Sequence, residues 1–117
     1  MAILHAQPGQ VISLDLDEAG SETVGTRTLF KTPHVEVIRL VLPQGKTIPQ
    51  HQAPGEIVVQ GLTGRVQFKA MDKTIEVGPG QMFYLSAAEP HAVTAVEDCS
   101  FLLTILLAPR VKDAAES

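Results

Sequence analysis

Gly45-Lys-Thr-Ile-Pro-Gln-His51-Gln-Ala53-Pro-Gly-Glu56-Ile57-Val-Val-Gln60-Gly-Leu-Thr-Gly64 and Gly80-Gln-Met-Phe-Tyr84-Leu-Ser86-Ala-Ala88-Glu-Pro-His91 are the two stretches that decide the reading of this chain. Each starts at a glycine, passes through a proline-bearing loop, and delivers a histidine to the start of an apolar run. The two histidines stand forty positions apart in matching places. Imidazoles carried by two strands of a small barrel can converge inside it, and neutral imidazole is the commonest metal ligand. Two buried histidines, each satisfied by a backbone carbonyl, give the same spacing with no ligand at all.

Outward from these stretches the chain divides into short apolar pieces. Val11 to Leu16 alternates, with Ile12, Leu14 and Leu16 apolar against Ser13 and Asp15, the period of a half-buried strand. Asp17 to Ser21 reads as a solvated turn. Thr26 to Lys31 and Val35 to Leu42 are strands, the second rich in β-branched and aliphatic residues and ended by Pro43-Gln44-Gly45. Glu56 to Leu62 and Arg65 to Ala70 flank Thr63-Gly64, which predicts a tight hairpin. Met71-Asp72 links onward to Lys73 to Val77. Gln81 to Leu85, Ala92 to Val96 and Ser100 to Leu107 complete about nine strands. Without helical periodicity anywhere, the pattern predicts an all-β sandwich or barrel.

Composition sets outer limits. The chain has 117 residues, 44% hydrophobic and 19% charged, with a formal net charge of −4. That fits a single domain spanning residues 1–117 with one core and a polar, frayed tail from 109 to 117. The balance of charge gives no footprint for nucleic acid. The longest apolar stretch, Phe101 to Ala108, is too short to cross a bilayer as a helix, and the first residues lack a secretory signal. One cysteine, Cys99, forms no internal disulfide and fits a reducing, cytoplasmic setting.

The two quoted stretches resemble the paired motifs of the cupin superfamily, and the chain is similar to its small, single-domain, RmlC-like members. The family's first motif runs glycine, five residues, His-x-His, three or four residues, glutamate, six residues, glycine. Gly45, His51 and Gly64 match it. The second runs glycine, five residues, Pro-x-Gly, two residues, histidine, three residues, asparagine, and Gly80 and His91 match it. The resemblance covers residues 45–95 in motif terms and implies a double-stranded β-helix, the cupin jelly-roll barrel. It also implies a homodimer, with the N-terminal strand docked or exchanged across the interface. Val35 to Leu42 and Ser100 to Leu107 would supply apolar material for that contact.

The departures bear on chemistry. Metal-binding cupins use two histidines and a glutamate from the first motif and a histidine from the second. Ala53 replaces the second histidine, Ile57 the glutamate, Ala95 the asparagine, and Ser86 and Ala88 the proline and glycine. His51 and His91 alone remain, whereas a catalytic zinc takes three protein ligands and non-haem iron two histidines and a carboxylate. Gln60, a polar group in the middle of an apolar run, is the first candidate to complete the set. Glu56 is the second, if a bulge turns it inward. Ala53, Ile57, Glu56 and Tyr84 are candidate pocket residues. His34 and His5 read as surface residues. Cys99 follows Glu97 and Asp98, whose charge opposes a thiolate.

Three functions remain open from these residues. The first is a binding protein holding a small molecule or a divalent ion (zinc, iron, manganese or nickel) at a degenerate two-histidine site. The second is a metal-dependent enzyme of dioxygenase, isomerase or decarboxylase type acting on a small organic acid. The third is a non-catalytic sensor or structural cupin with an apolar pocket.

Overall fold

The structure, a computed structural model, describes residues 5–14 and 25–107. Nine strands lie among them: β1 (Gly25–Lys31), β2 (Val35–Leu42), β3 (Thr47–His51), β4 (Ile57–Thr63), β5 (Val66–Ala70), β6 (Lys73–Val77), β7 (Met82–Leu85), β8 (His91–Ala95) and β9 (Cys99–Leu106). They form a five-stranded sheet in the order β1-β2-β9-β4-β7 and a four-stranded sheet in the order β3-β8-β5-β6. Every pairing is antiparallel. This is the jelly-roll arrangement of an all-β double-stranded β-helix, and no helix long and apolar enough to cross a membrane occurs among the described residues.

Period-two alternation explains why these segments face each other. In β4, Ile57 and Val59 are buried while Val58 and Gln60 are half-buried. In β5, Val66, Phe68 and Ala70 are buried and Lys69 is exposed, and in β8 His91, Val93 and Ala95 point the same way. The inward rows of both sheets meet in one core containing Leu40, Leu42, Ile57, Val59, Val66, Phe68, Leu85 and Phe101. Burying each such side chain contributes about 1.5–3 kcal/mol before entropy is set against it. Phe68 is the hub, with Phe83 and Phe101 packed edge-on at centroid distances of 5.1 and 5.7 Å.

Three readings of the sequence are corrected. Thr63-Gly64 does not close a hairpin, because β4 and β5 belong to different sheets and the link crosses between them. Gly64 is at φ +67°, and a Cβ there would collide with the Asp98 carbonyl and sit 2.8 Å from Cys99 Cα. The glycine thus marks a tight crossing rather than a turn. Next, β3 is a strand although its sequence, with Pro49, reads as a loop. It lies at a sheet edge, where proline is tolerated and most side chains face solvent, so no burial pattern is imposed. Finally, residues 11–14 make no strand: Ile12 and Leu14 are half-buried and Val11 is exposed, but no ladder forms. The rest of that expected strand, the Asp17 to Ser21 turn and the tail from 109 to 117 lie outside the described residues. The Met71-Asp72 link does close a hairpin, both residues adopting positive φ (55° and 62°) between β5 and β6.

Candidate functional site

His91 opens β8 on its inward row and is 3% exposed, whereas His51 ends edge strand β3 and is exposed. A register irregularity between Ile48 and His51 brings His51 directly opposite His91. The rings meet at a centroid distance of 4.4 Å with 60° between their planes. The structure therefore brings the two motif histidines together at the barrel rim. One ring leans on the aromatic core, with Phe68 at 6.1 Å from His91. The other faces water.

Hydrogen bonding sets the tautomers. His51 Nδ1 lies 3.0 Å from the Pro49 carbonyl oxygen, and His91 Nδ1 lies 2.9 Å from that of Glu89. A carbonyl only accepts, so each neutral ring donates from Nδ1 and keeps the lone pair on Nε2. Both contacts reach back two residues, so the local backbone, in β3 for His51 and in the loop before β8 for His91, orients the rings. This is the support a metal-ligating histidine usually has. It is also how a histidine without a ligand is satisfied.

The remaining candidates do not join the pair. Ile57 stands where the family has glutamate, and it is 2% exposed within the core. Gln60 lies on the opposite, outward face of β4, paired with Met82 and Leu102. Its ligand role is therefore not supported by its position. The only register shift in the β4–β9 ladder falls between Gly61 and Thr63, too far along to turn Glu56 inward. Glu56 is exposed, and its carbonyl accepts from Leu106 N at 2.9 Å. Tyr84 is 67% exposed on the outward face of β7, so it lines no interior pocket. His34 and His5 are exposed. Ala53 is half-buried against the core. Among the described residues, no group of three or more His, Cys, Asp and Glu side chains could hold a metal ion.

Two features were not foreseen. Ala88, at the position of the family's second-motif glycine, retains a positive φ of 63°. Its N–H donates to the Ala53 carbonyl at 3.1 Å, joining the loops that carry the two motifs. The sequence signal for Ala88 was the glycine-to-alanine departure itself. At the end of the β5–β6 hairpin an open groove of about 610 Å³ is lined by Gln50, Lys69, Asp72, Lys73, Glu89 and Pro90, among others. Gln50 and Pro90 immediately precede the two histidines in sequence, but neither histidine is among the residues that line the groove.

Cys99 does not contribute reactivity. Burial pushes its thiol up to about 11, with Asp98 and Glu97 adding in the same direction.

The Cupin domain family profile matches residues 38–105. No curated protein matches the sequence. Among solved structures, a conserved protein of unknown function from Streptococcus pyogenes is similar at 26% identity and a TM-score of 0.75, over 94% of this chain and 97% of that one. A cupin superfamily protein from Desulfitobacterium hafniense is 15% identical with a TM-score of 0.74, covering 92% of this chain and all of that one. An RmlC-like cupin from Desulfovibrio desulfuricans is 20% identical with a TM-score of 0.65, covering 91% and 98%. With both motif histidines, the crossing glycine and most of the two-sheet barrel inside the matched region, the chain belongs to the cupin family.

Proposed function

We propose that this cupin is a binding protein in which His51 and His91 take one divalent first-row ion at the barrel rim. Water or the oxygens of a small ligand would complete the shell. One observation carries the reading: both Nδ1 atoms are engaged by backbone carbonyls, so each of the two adjacent rings, in its neutral form, has its lone pair on Nε2. The spacing fits. With metal–nitrogen bonds of about 2.0–2.1 Å, two imidazoles at right angles on one ion have centroids about 4.5 Å apart, against the 4.4 Å found. Zinc, iron, manganese and nickel all accept imidazole. Two protein ligands make a weak site, and a bound ion would act there as a Lewis acid toward an oxygen ligand.

A second reading, a non-catalytic sensor or structural cupin, is favoured by Ile57 and Ala53 filling space that ligands would occupy. Equilibrium dialysis of tag-free protein against each ion, with metal read by mass spectrometry, separates the two. The binding reading expects near one equivalent for at least one ion. It further expects a tenfold or greater loss of affinity, about 1.4 kcal/mol, in His51→Ala and in His91→Gln. Circular dichroism confirms that each variant is folded. No ion retained by the unmutated protein, or equal retention by both variants, refutes the binding reading.

A further inference from the structure

Strands β4, β7 and β9 contain no charged residue, and β2 contains two, Glu36 and Arg39. Arg39 belongs to the outward row of β2. Glu36 belongs to the inward row with Ile38, Leu40 and Leu42, which lie in or against the core. It is half-buried. Thr28 Oγ1 donates to its Oε2 at 3.2 Å, and Thr28 pairs with Ile38 and so shares that inward face. The bond therefore holds the carboxylate along the inside of the sheet. Lys31, the register partner of Glu36 on β1, is exposed, and no ion pair joins the two.

Sheet order places this carboxylate opposite the histidines. Short links between the sheets join β2 to β3, β8 to β9, β4 to β5 and β6 to β7, and the orders β2-β9-β4-β7 and β3-β8-β5-β6 match member by member. Each of these strands thus stacks over the one it is linked to, β2 over β3 and β9 over β8. Glu36 is the second residue of β2 and His51 the last of β3, so both lie at the end away from the β2–β3 link. Along the sheet Glu36 pairs with Ile105, and Ile105 pairs with Ile57, the position of the family's glutamate. Ile105 separates the carboxylate from Ile57 and stands over β8, whose first residue is His91. Glu36 does not act as a third metal ligand, since among the described residues no three such side chains come close enough to hold an ion.

Taking the two-histidine ion proposed above, we infer that Glu36 is the second recognition point of the same ligand site, and that the ligand is a small amino carboxylate. The ion takes the ligand's carboxylate oxygen. Stacked sheets lie about 10 Å apart, and the side chains span part of that gap, so a few methylene groups crossing Ile105 connect the two ends. A carboxylate only accepts hydrogen bonds, and it accepts most strongly from a cation. Glu36 therefore selects an ammonium at its end and repels a second carboxylate. A few convergent polar groups over an apolar floor are the usual make-up of a small-molecule site.

The test titrates γ-aminobutyrate, δ-aminovalerate, butyrate and glutarate calorimetrically into tag-free protein loaded with whichever of zinc, iron, manganese and nickel it retains best. The unmutated chain is expected to bind at least one amino carboxylate tenfold or more tighter than butyrate and glutarate. Glu36→Gln preserves the side chain's size and an oxygen for Thr28; it is expected to keep the ion and to lose the preference to within twofold. Glu56→Gln, at an exposed carboxylate just before β4, is the control and keeps the preference. Circular dichroism reports whether each variant is folded. Four results overturn the role of Glu36 while leaving the ion in place: no amine preference in the loaded parent, a preference that survives Glu36→Gln, equal loss in Glu56→Gln, or release of the ion by Glu36→Gln. A parent that retains no ion overturns the two-histidine reading and the amino carboxylate site together.

Discussion

Replacing Gly64 with alanine, beside the same change at Gly45, separates two costs that motif glycines combine. Both residues adopt positive φ, +67° and +88°. An L-residue in the left-handed region costs about 1–2 kcal/mol, and alanine returns roughly 0.4–1 kcal/mol by restricting the unfolded chain. At Gly45 nothing lies within 4 Å of the added Cβ, so Gly45→Ala should destabilise by about 1 kcal/mol. At Gly64 the same Cβ meets the Asp98 carbonyl and lies 2.8 Å from Cys99 Cα. Neither atom belongs to a flexible side-chain tip, so the start of β9 or the β4–β5 crossing must shift. Overpacking of that kind adds about 1–3 kcal/mol, giving a total near 3 kcal/mol. For a chain of this size 1 kcal/mol moves the melting midpoint by about 4 °C. Calorimetry and urea titration should therefore show losses of about 4 °C for Gly45→Ala and about 12 °C for Gly64→Ala. Equal losses, or a milder effect at Gly64, would refute the assignment of Gly64 to a backbone-limited crossing between sheets.

Ala88→Gly should raise stability by about 0.5–1 kcal/mol, because it relieves a left-handed alanine at more than the entropic cost of glycine; a destabilised variant in urea titration counts against that strain. Phe68→Leu removes two edge-on ring pairs worth about 0.5–1.5 kcal/mol each, so a loss of about 1–3 kcal/mol is expected by the same titration. Cys99 should resist alkylation by iodoacetamide at pH 8 in the folded protein and react freely in denaturant. Its thiol titrates near 11 when folded, against an ordinary value of 9.0. Between those values the folded state keeps a proton that the unfolded state has lost, so Cys99 makes stability fall as pH rises through this window. An alkylation rate unchanged by denaturant would contradict its burial.

Much of the barrel was legible because buried strands carry their own signature. Val35 to Leu42 was bounded by proline and glycine and filled with aliphatic residues, and it folds over that same span as β2. Edge strand β3 escaped notice for the converse reason: solvent on its exposed face imposes no alternation. Thr63-Gly64 misled because a tight hairpin and a tight crossing both need a glycine, and only sheet partners tell them apart. At the site, spacing alone matched His51 to His91. Their contact depends on an irregularity in β3 that no residue type announces. Gln60 drew attention as an amide in an apolar run, yet Ile57 and Val59 occupy the inward row and leave it the outward one. Its amide belongs to the outward row of β4, between Met82 and Leu102 of the neighbouring strands.

The most direct test of the two-imidazole site is pulsed electron paramagnetic resonance on the tag-free protein loaded with one equivalent of Cu(II), the ion such nitrogen sites bind most strongly. The remote Nδ1 of each coordinating ring modulates the echo, so the spectrum counts imidazoles. Two are predicted for the unmutated chain, one in His51→Ala and one in His91→Gln. A spectrum showing no imidazole, or one left unchanged by both substitutions, would contradict the central claim.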